Sequence, residues 1–185
     1  MSLLDIVVLG APILRRETSP VAAVTDELRR LADDMLETMY TAKGIGLAAP
    51  QVGRPERLTV IDVDERPLVL FNPEILLAEG KQKAEEGCLS IPDVYGDVER
   101  AARVVVRALG RDGAPLEVDA TELLARCLQH EIDHLHGRLF IDHLSVLRRK
   151  AALAKWATVK GRYPQYLRKL TAEEVAEHHH RDEEL

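Results

Sequence analysis

Apolar residues fall into two different rhythms along the chain, and the change of rhythm divides it into elements. From Leu28 through Leu31, Ala32, Met35, Leu36 and Met39 they recur every three or four positions, the spacing of one helix face. Thr25 stands where an N-cap belongs, Asp26 and Glu27 suit the positive end of the helix dipole, and Gly44 closes the pattern. The middle of the chain reads differently. LTVIDV (58–63), LVLF (68–71) and RVVVRAL (103–109) are short and β-branched, with Pro, Gly and Asp at their borders, which predicts strands. Arg111-Asp112-Gly113 predicts a turn into a further strand, PLEVDA (115–120).

The helical rhythm returns near Thr121. Leu123, Leu124, Cys127, Leu128, Glu131, His134 and Leu135 share one side of a second helix, and Gly137 stops it. A third helix is expected from Ser145 past Trp156, until Gly161 and Pro164 interrupt. The last fifteen residues, TAEEVAEHHHRDEEL, are polar and charge-rich, and their end is expected to be frayed or disordered. The elements predict class α+β: short antiparallel β-sheets packed around a central α-helix, with a C-terminal helix. One domain over residues 1–165 and a polar tail over 166–185 is the simplest division.

Composition narrows the setting. MSLLDIVVLG lacks the basic flank and length of a signal peptide, and no stretch approaches the roughly 20 apolar residues of a membrane span. Cys88 and Cys127 are too few for a disulfide framework and suit a reducing compartment, so a cytoplasmic protein is expected. The net charge of −6 conceals an asymmetry: residues 145–170 contain no Asp or Glu and carry a charge of +8. Such a run is usually a solvated helix face. It could also serve an anionic partner such as RNA.

Chemistry concentrates in His130-Glu131-Ile132-Asp133-His134. Positions i and i+4 lie on one helix face about 6 Å apart along the axis, so both imidazoles can reach one ion. Glu131 between them can act as general base on a water there. A catalytic site of this kind needs a third protein ligand. The extended pattern H-E-x-x-H-x-x-G-x-x-H fails, because Phe140 occupies its last position. Glu173, Glu174 and Glu177 remain as downstream candidates, and Cys88 upstream; a lone cysteine is otherwise a small buried hydrophobe.

Three segments, 44–51 (GIGLAAPQ), 86–90 (EGCLS) and 129–137 (QHEIDHLHG), resemble the three signature motifs of the peptide deformylase family, in order and at every fixed position. The resemblance runs from the N-terminus to about Leu153. It implies that Cys88, His130 and His134 bind a metal, usually Fe(II), with Zn(II), Ni(II) or Co(II) able to replace it. It implies that Glu131 is the acid–base residue, and that the Gln51 side chain and the Leu89 backbone N–H stabilise the developing oxyanion. The activity implied is removal of the N-formyl group from the starting methionine of nascent peptides. Gly44 and Gly46 would let the substrate backbone approach, and Ile45, Leu123, Arg126 and Cys127 would line the methionine pocket.

Where the family commonly has an aliphatic residue, Arg126 is expected to pack its stem and keep its guanidinium wet. Loop 93–97 lacks an arginine that many relatives carry. His136 and His143 are expected at the surface, with a capping group or a support to a metal ligand as the alternative for His143, and His178-His179-His180 could bind metal adventitiously. Two other classes share some of these features. A zinc endopeptidase on the same helix would leave Cys88 unligated, and a ribosome- or RNA-binding protein would use the segment 148–169 with no hydrolysis at all.

Overall fold

The computed structural model describes residues 2–183. In chain order the elements are β1 (Ile6–Val7), α1 (Asp26–Thr41), β2 (Gly46–Ala48), β3 (Leu58–Asp62), β4 (Pro67–Glu79), β5 (Gln82–Cys88), β6 (Ile91–Arg100), β7 (Arg103–Leu109), β8 (Pro115–Thr121), α2 (Glu122–Leu135), α3 (Val146–Val159), β9 (Leu167–Arg168) and α4 (Ala172–Glu183). Short 3-10 turns join them. The architecture is α+β, with mixed helices and short antiparallel sheets, as the sequence predicts.

Helix α1 begins where its cap predicts: the Thr25 hydroxyl accepts from the Leu28 amide at 3.3 Å. Its buried face, Leu28, Leu31, Ala32, Met35 and Met39, packs on Leu47, Leu58, Val60, Val69 and Phe71. Those strand residues belong to a five-stranded antiparallel sheet of order β2-β3-β4-β7-β8. Alternation along β3 and β4 sends Ile61 and Leu70 to the opposite face, where Leu128 and Ile132 of α2 cover them together with Val104 and Val106. Helix α2 is therefore buried on its sheet-facing side. Gly137, at φ 70°, ends it; a side chain there would also overlap the Arg15 backbone.

The other side of α2 faces the antiparallel hairpin β5–β6. Ile91, Val94 and Val98 of β6 join Phe140, Ile141, Leu144 and the α3 residues Ala152, Trp156 and Val159 in a separate apolar cluster. Three layers result, with α2 between the sheet and the hairpin.

Several expectations need correction. Residues 93–97 are not a loop but part of β6. The strand expected at 68–71 runs on to Glu79, because its exposed second half still pairs with β7 through two register shifts. The polar tail forms α4 as far as Glu183, while its end, where fraying was expected, lies outside the described residues. Thr171 and Glu174 cap each other reciprocally, Thr171 N–H to Glu174 Oε2 at 2.7 Å and Glu174 N–H to Thr171 Oγ1 at 3.2 Å. Ahead of it, β9 pairs with β1. His178 stacks on Tyr40 and meets Glu37 at 3.1 Å, while the side chains of His179 and His180 and residues 184–185 lie outside the described residues. Among the described residues no helix is long and apolar enough to cross a membrane.

Candidate active site

The hairpin and α2 bring three metal-ligand types together. Cys88 Sγ lies 3.3 Å from His134 Nε2, and His134 Nε2 lies 3.3 Å from His130 Nε2. All three donor atoms are within 4.8 Å of one another. Bonds of about 2.0–2.1 Å to nitrogen and 2.3 Å to sulfur at tetrahedral angles place neighbouring donors about 3.3–3.6 Å apart. The trio thus fits one tetrahedral cation with a position left open. Of the glutamates considered as downstream ligands, Glu174 pairs with Arg168 and Glu177 with Lys43, and among the described residues none of the three joins the donor group of Cys88, His130 and His134.

Protonation agrees with that fit. Glu86 can only accept as a carboxylate, so the 2.8 Å contact from His130 Nδ1 is a donation, which turns Nε2 toward the donor cluster. Burial opposes protonation of His130, but Cys88 and Glu86 outweigh it and hold the imidazole up at about 10. A bound cation displaces that proton. Burial and the neighbouring His130 charge hold His134 well below its ordinary value, so it stays neutral.

Glu86 itself was quoted in a motif without a role, and Arg100 was missed. They form a buried bidentate pair, Arg100 Nε to Glu86 Oε2 at 2.6 Å and Nη2 to Oε1 at 2.9 Å. Arg100 also donates to Asp133 at 2.9 Å, and His143 Nε2 meets the same Asp133 oxygen at 2.7 Å. His143 is at the surface, as expected, and from there forms the outer member of this chain. His136 is partly exposed and meets Glu17, outside the site. Arg126 is corrected too. It is 5% exposed, and its guanidinium is dry, bonded to Glu86, Val98 O and Gln82 O.

Above the donors is a cavity of about 560 Å³. Gly44, Ile45, Gly46, Gln51, Cys88, Leu89, Leu123, Arg126, Cys127, His130 and Glu131 all line it, and His134 sits beneath them, 1% exposed. Gln51 is held in one orientation. Its Oε1 accepts from Ala48 N–H at 2.8 Å, leaving Nε2 to donate to Ser90 Oγ at 3.1 Å and to approach Cys88 Sγ at 3.5 Å. Glu131 is 4% exposed, with Oε2 unpartnered among the described residues. Burial, only partly offset by His130 and Arg100, pushes its carboxyl up to about 7, the range a general base needs. Gly46 makes room for it, since a methyl group there would overlap Glu131 Oε1.

A helix that offers two imidazoles and a carboxylate within five residues, with a thiol completing the set from across a cleft, defines a single-metal hydrolase site. The family model described as Polypeptide deformylase matches residues 3–150, and the chain belongs to that family. The chain is 59% identical over 154 residues to a peptide deformylase of Alkalilimnicola ehrlichii, covering 81% of this chain and 86% of that one. It is 53% identical over 153 residues to one of Nitrosococcus oceani, covering 81% and 92%. The crystal structure of a peptide deformylase from Legionella pneumophila superposes with a TM-score of 0.84 at 44% identity, covering 89% of this chain and 99% of that one. One from Synechococcus elongatus, in complex with actinonin, gives 0.80 at 49% identity, covering 83% and 86%.

Replacing Cys88 by Ala removes one donor and leaves α2 untouched. The variant is expected to fold but to bind Co(II) more than about 100-fold more weakly and to lose the sulfur-to-metal charge-transfer band. Unchanged titration and absorption spectra would refute the role of the thiol.

Proposed function

We propose that this chain is a metal-dependent amide hydrolase that removes the N-formyl group from the N-terminal methionine of newly made proteins, releasing formate. The observation that carries this reading is that the Cys88, His130 and His134 donors and the buried Glu131 carboxylate meet at the floor of one cavity. Membership of the family supports the same activity.

Cys88 as thiolate, with His130 and His134 as neutral imidazoles, would hold the metal. A thiolate with two imidazoles suits Fe(II) or Zn(II), and Fe(II) is the cofactor proposed, with Zn(II), Ni(II) or Co(II) as substitutes. When bound, the cation would supply Lewis acidity, lowering the pKa of a water from about 15.7 toward 7 and polarising the carbonyl. Glu131 takes the proton from that water as its oxygen attacks the formyl carbon. Negative charge then grows on the former carbonyl oxygen, which Gln51 Nε2 and the Leu89 backbone N–H would stabilise as donors. Glu131 returns its proton to the methionine nitrogen, the C–N bond breaks, and formate leaves a free amino terminus.

Selectivity follows from space. A formyl carbon carries only hydrogen, so a tight floor admits it and rejects longer acyl groups. Gly44 and Gly46 would hold the substrate backbone extended, while Ile45, Leu123, Cys127 and the stem of Arg126 take the methionine side chain. Residues 1–165 would form the catalytic unit, with 166–185 as a polar tail, in a cytoplasmic enzyme that uses no membrane.

The test is formate release from formyl-Met-Ala-Ser. Glu131→Ala is expected to keep its metal and lose at least about 10²–10⁴-fold in kcat. An active variant would remove Glu131 from the mechanism, and wild-type protein inert on this peptide would remove the activity.

Segment 148–169 would bring the enzyme to ribosomes. Arg148, Arg149, Arg162 and Arg168 already face carboxylates, but Lys150, Lys155, Lys160 and Lys169 are exposed, beside Val146 and Leu147 at 88% and 78% exposure. Exchanging the four lysines for glutamate should abolish salt-sensitive co-sedimentation with ribosomes. Sedimentation unchanged by the exchange would exclude this contact.

A further inference from the structure

Glu86 is more tightly held than a single ion pair requires. A carboxylate offers about four acceptor directions, and all four are taken. Oε1 accepts from Arg100 Nη2 at 2.9 Å and from His130 Nδ1 at 2.8 Å, and Oε2 from Arg100 Nε at 2.6 Å and Arg126 Nη1 at 2.5 Å. Side-chain exposure is 5% for Glu86, 3% for Arg100 and 6% for Arg126. Two buried guanidinium groups on one carboxylate is a costly arrangement, since each cation gives up its hydration. Arg100 is compensated twice, by Glu86 and Asp133, whereas Arg126 meets, among the described residues, no carboxylate but Glu86.

The remaining bonds of Arg126 indicate what it accomplishes. Nη1 also donates to Val98 O at 2.9 Å and Nη2 to Gln82 O at 3.2 Å, so one planar fork spans both strands of the hairpin. Arg126, His130 and His134 stand at i, i+4 and i+8 on α2, a single row facing that hairpin. Glu86 stands two residues before Cys88 on β5. The fork thus ties the helix that carries both imidazoles to the strand that carries the thiol, and it removes the last freedom of the carboxylate that aims His130.

We propose that Arg126 is a positioning residue for the metal site: through Glu86 and the hairpin backbone it sets the geometry in which Cys88 and His130 meet the cation. This rests on the reading of Cys88, His130 and His134 as ligands. Its stem can line the methionine pocket at the same time, because the head lies on the far side, under Glu86.

Arg126→Lys separates geometry from charge. An ammonium keeps the positive charge but cannot span Glu86, Val98 O and Gln82 O as a planar fork does. Wild-type and R126K proteins would be loaded with Co(II), and their visible spectra and rates of Co(II) release to a chelator compared. Outer partners of metal ligands typically contribute 10–100-fold to affinity, so release is expected about ten-fold faster from R126K, with displaced ligand-field bands at full loading. A lower apo-protein melting temperature with identical bands and release rate would make Arg126 merely structural and overturn the proposal. Should R126K not fold, R126M fills the same slot without a cation; displaced bands are expected, and bands identical to wild type would again overturn it. The wild-type spectrum reports separately on the ligand set, so the two readings fail in different lanes of one experiment.

Discussion

A cation site divided between a helix and a hairpin depends on the distance between them. Here that distance is set by buried charge. His130 and Cys88 lie 42 positions apart in the chain, on elements whose apolar packing alone would tolerate small slips. The Glu86 carboxylate removes that tolerance, because its donors come from α2 on one side and from its own hairpin on the other. Charge-assisted hydrogen bonds are directional and strong where water is excluded. Breaking one partner leaves an uncompensated buried charge, which costs several kcal/mol. The network is therefore stiff by construction, and the donor cluster inherits that stiffness.

The same burial that stiffens the site prepares its chemistry. Glu131 lies on the same helix turn as the ligands and is nearly as deeply buried, but no arginine compensates it directly. Desolvation therefore raises it to about 7, whereas Glu86, buried to a similar degree, is held down at about 2 by His130 and Arg100 against the same penalty. Two carboxylates in one site are thus set apart, Glu86 as a fixed anion and Glu131, under the proposed mechanism, as the proton carrier. Gly46 leaves the space that Glu131 occupies.

Much of this was legible in the chain, and the parts that were not share a cause. The ligands, Glu131, Gln51 and the pocket glycines stand in contiguous motifs, and α1 and α3 announce themselves through Thr25 and Ser145. The hairpin was obscured because its outer face carries Lys83, Glu85, Asp97 and Glu99, so its apolar rhythm shows only at Ile91, Val94 and Val98. Arg126 was expected in water because a charged side chain on a helix usually is. It is instead drawn to Glu86, an acid from another part of the chain, and the exposed His143 reaches Asp133; no local pattern announces either contact. Helix α4 is the exception: Thr171-x-x-Glu174 is a readable capping box, overlooked in a charge-rich tail.

The central claim is that one cation is gripped jointly by a thiolate from the hairpin and two imidazoles from α2. X-ray absorption at the metal edge of zinc- or cobalt-loaded protein measures this directly. One sulfur scatterer at about 2.3 Å and two imidazole nitrogens at about 2.0–2.1 Å are predicted. A first shell of nitrogen and oxygen alone, with no sulfur, would contradict it.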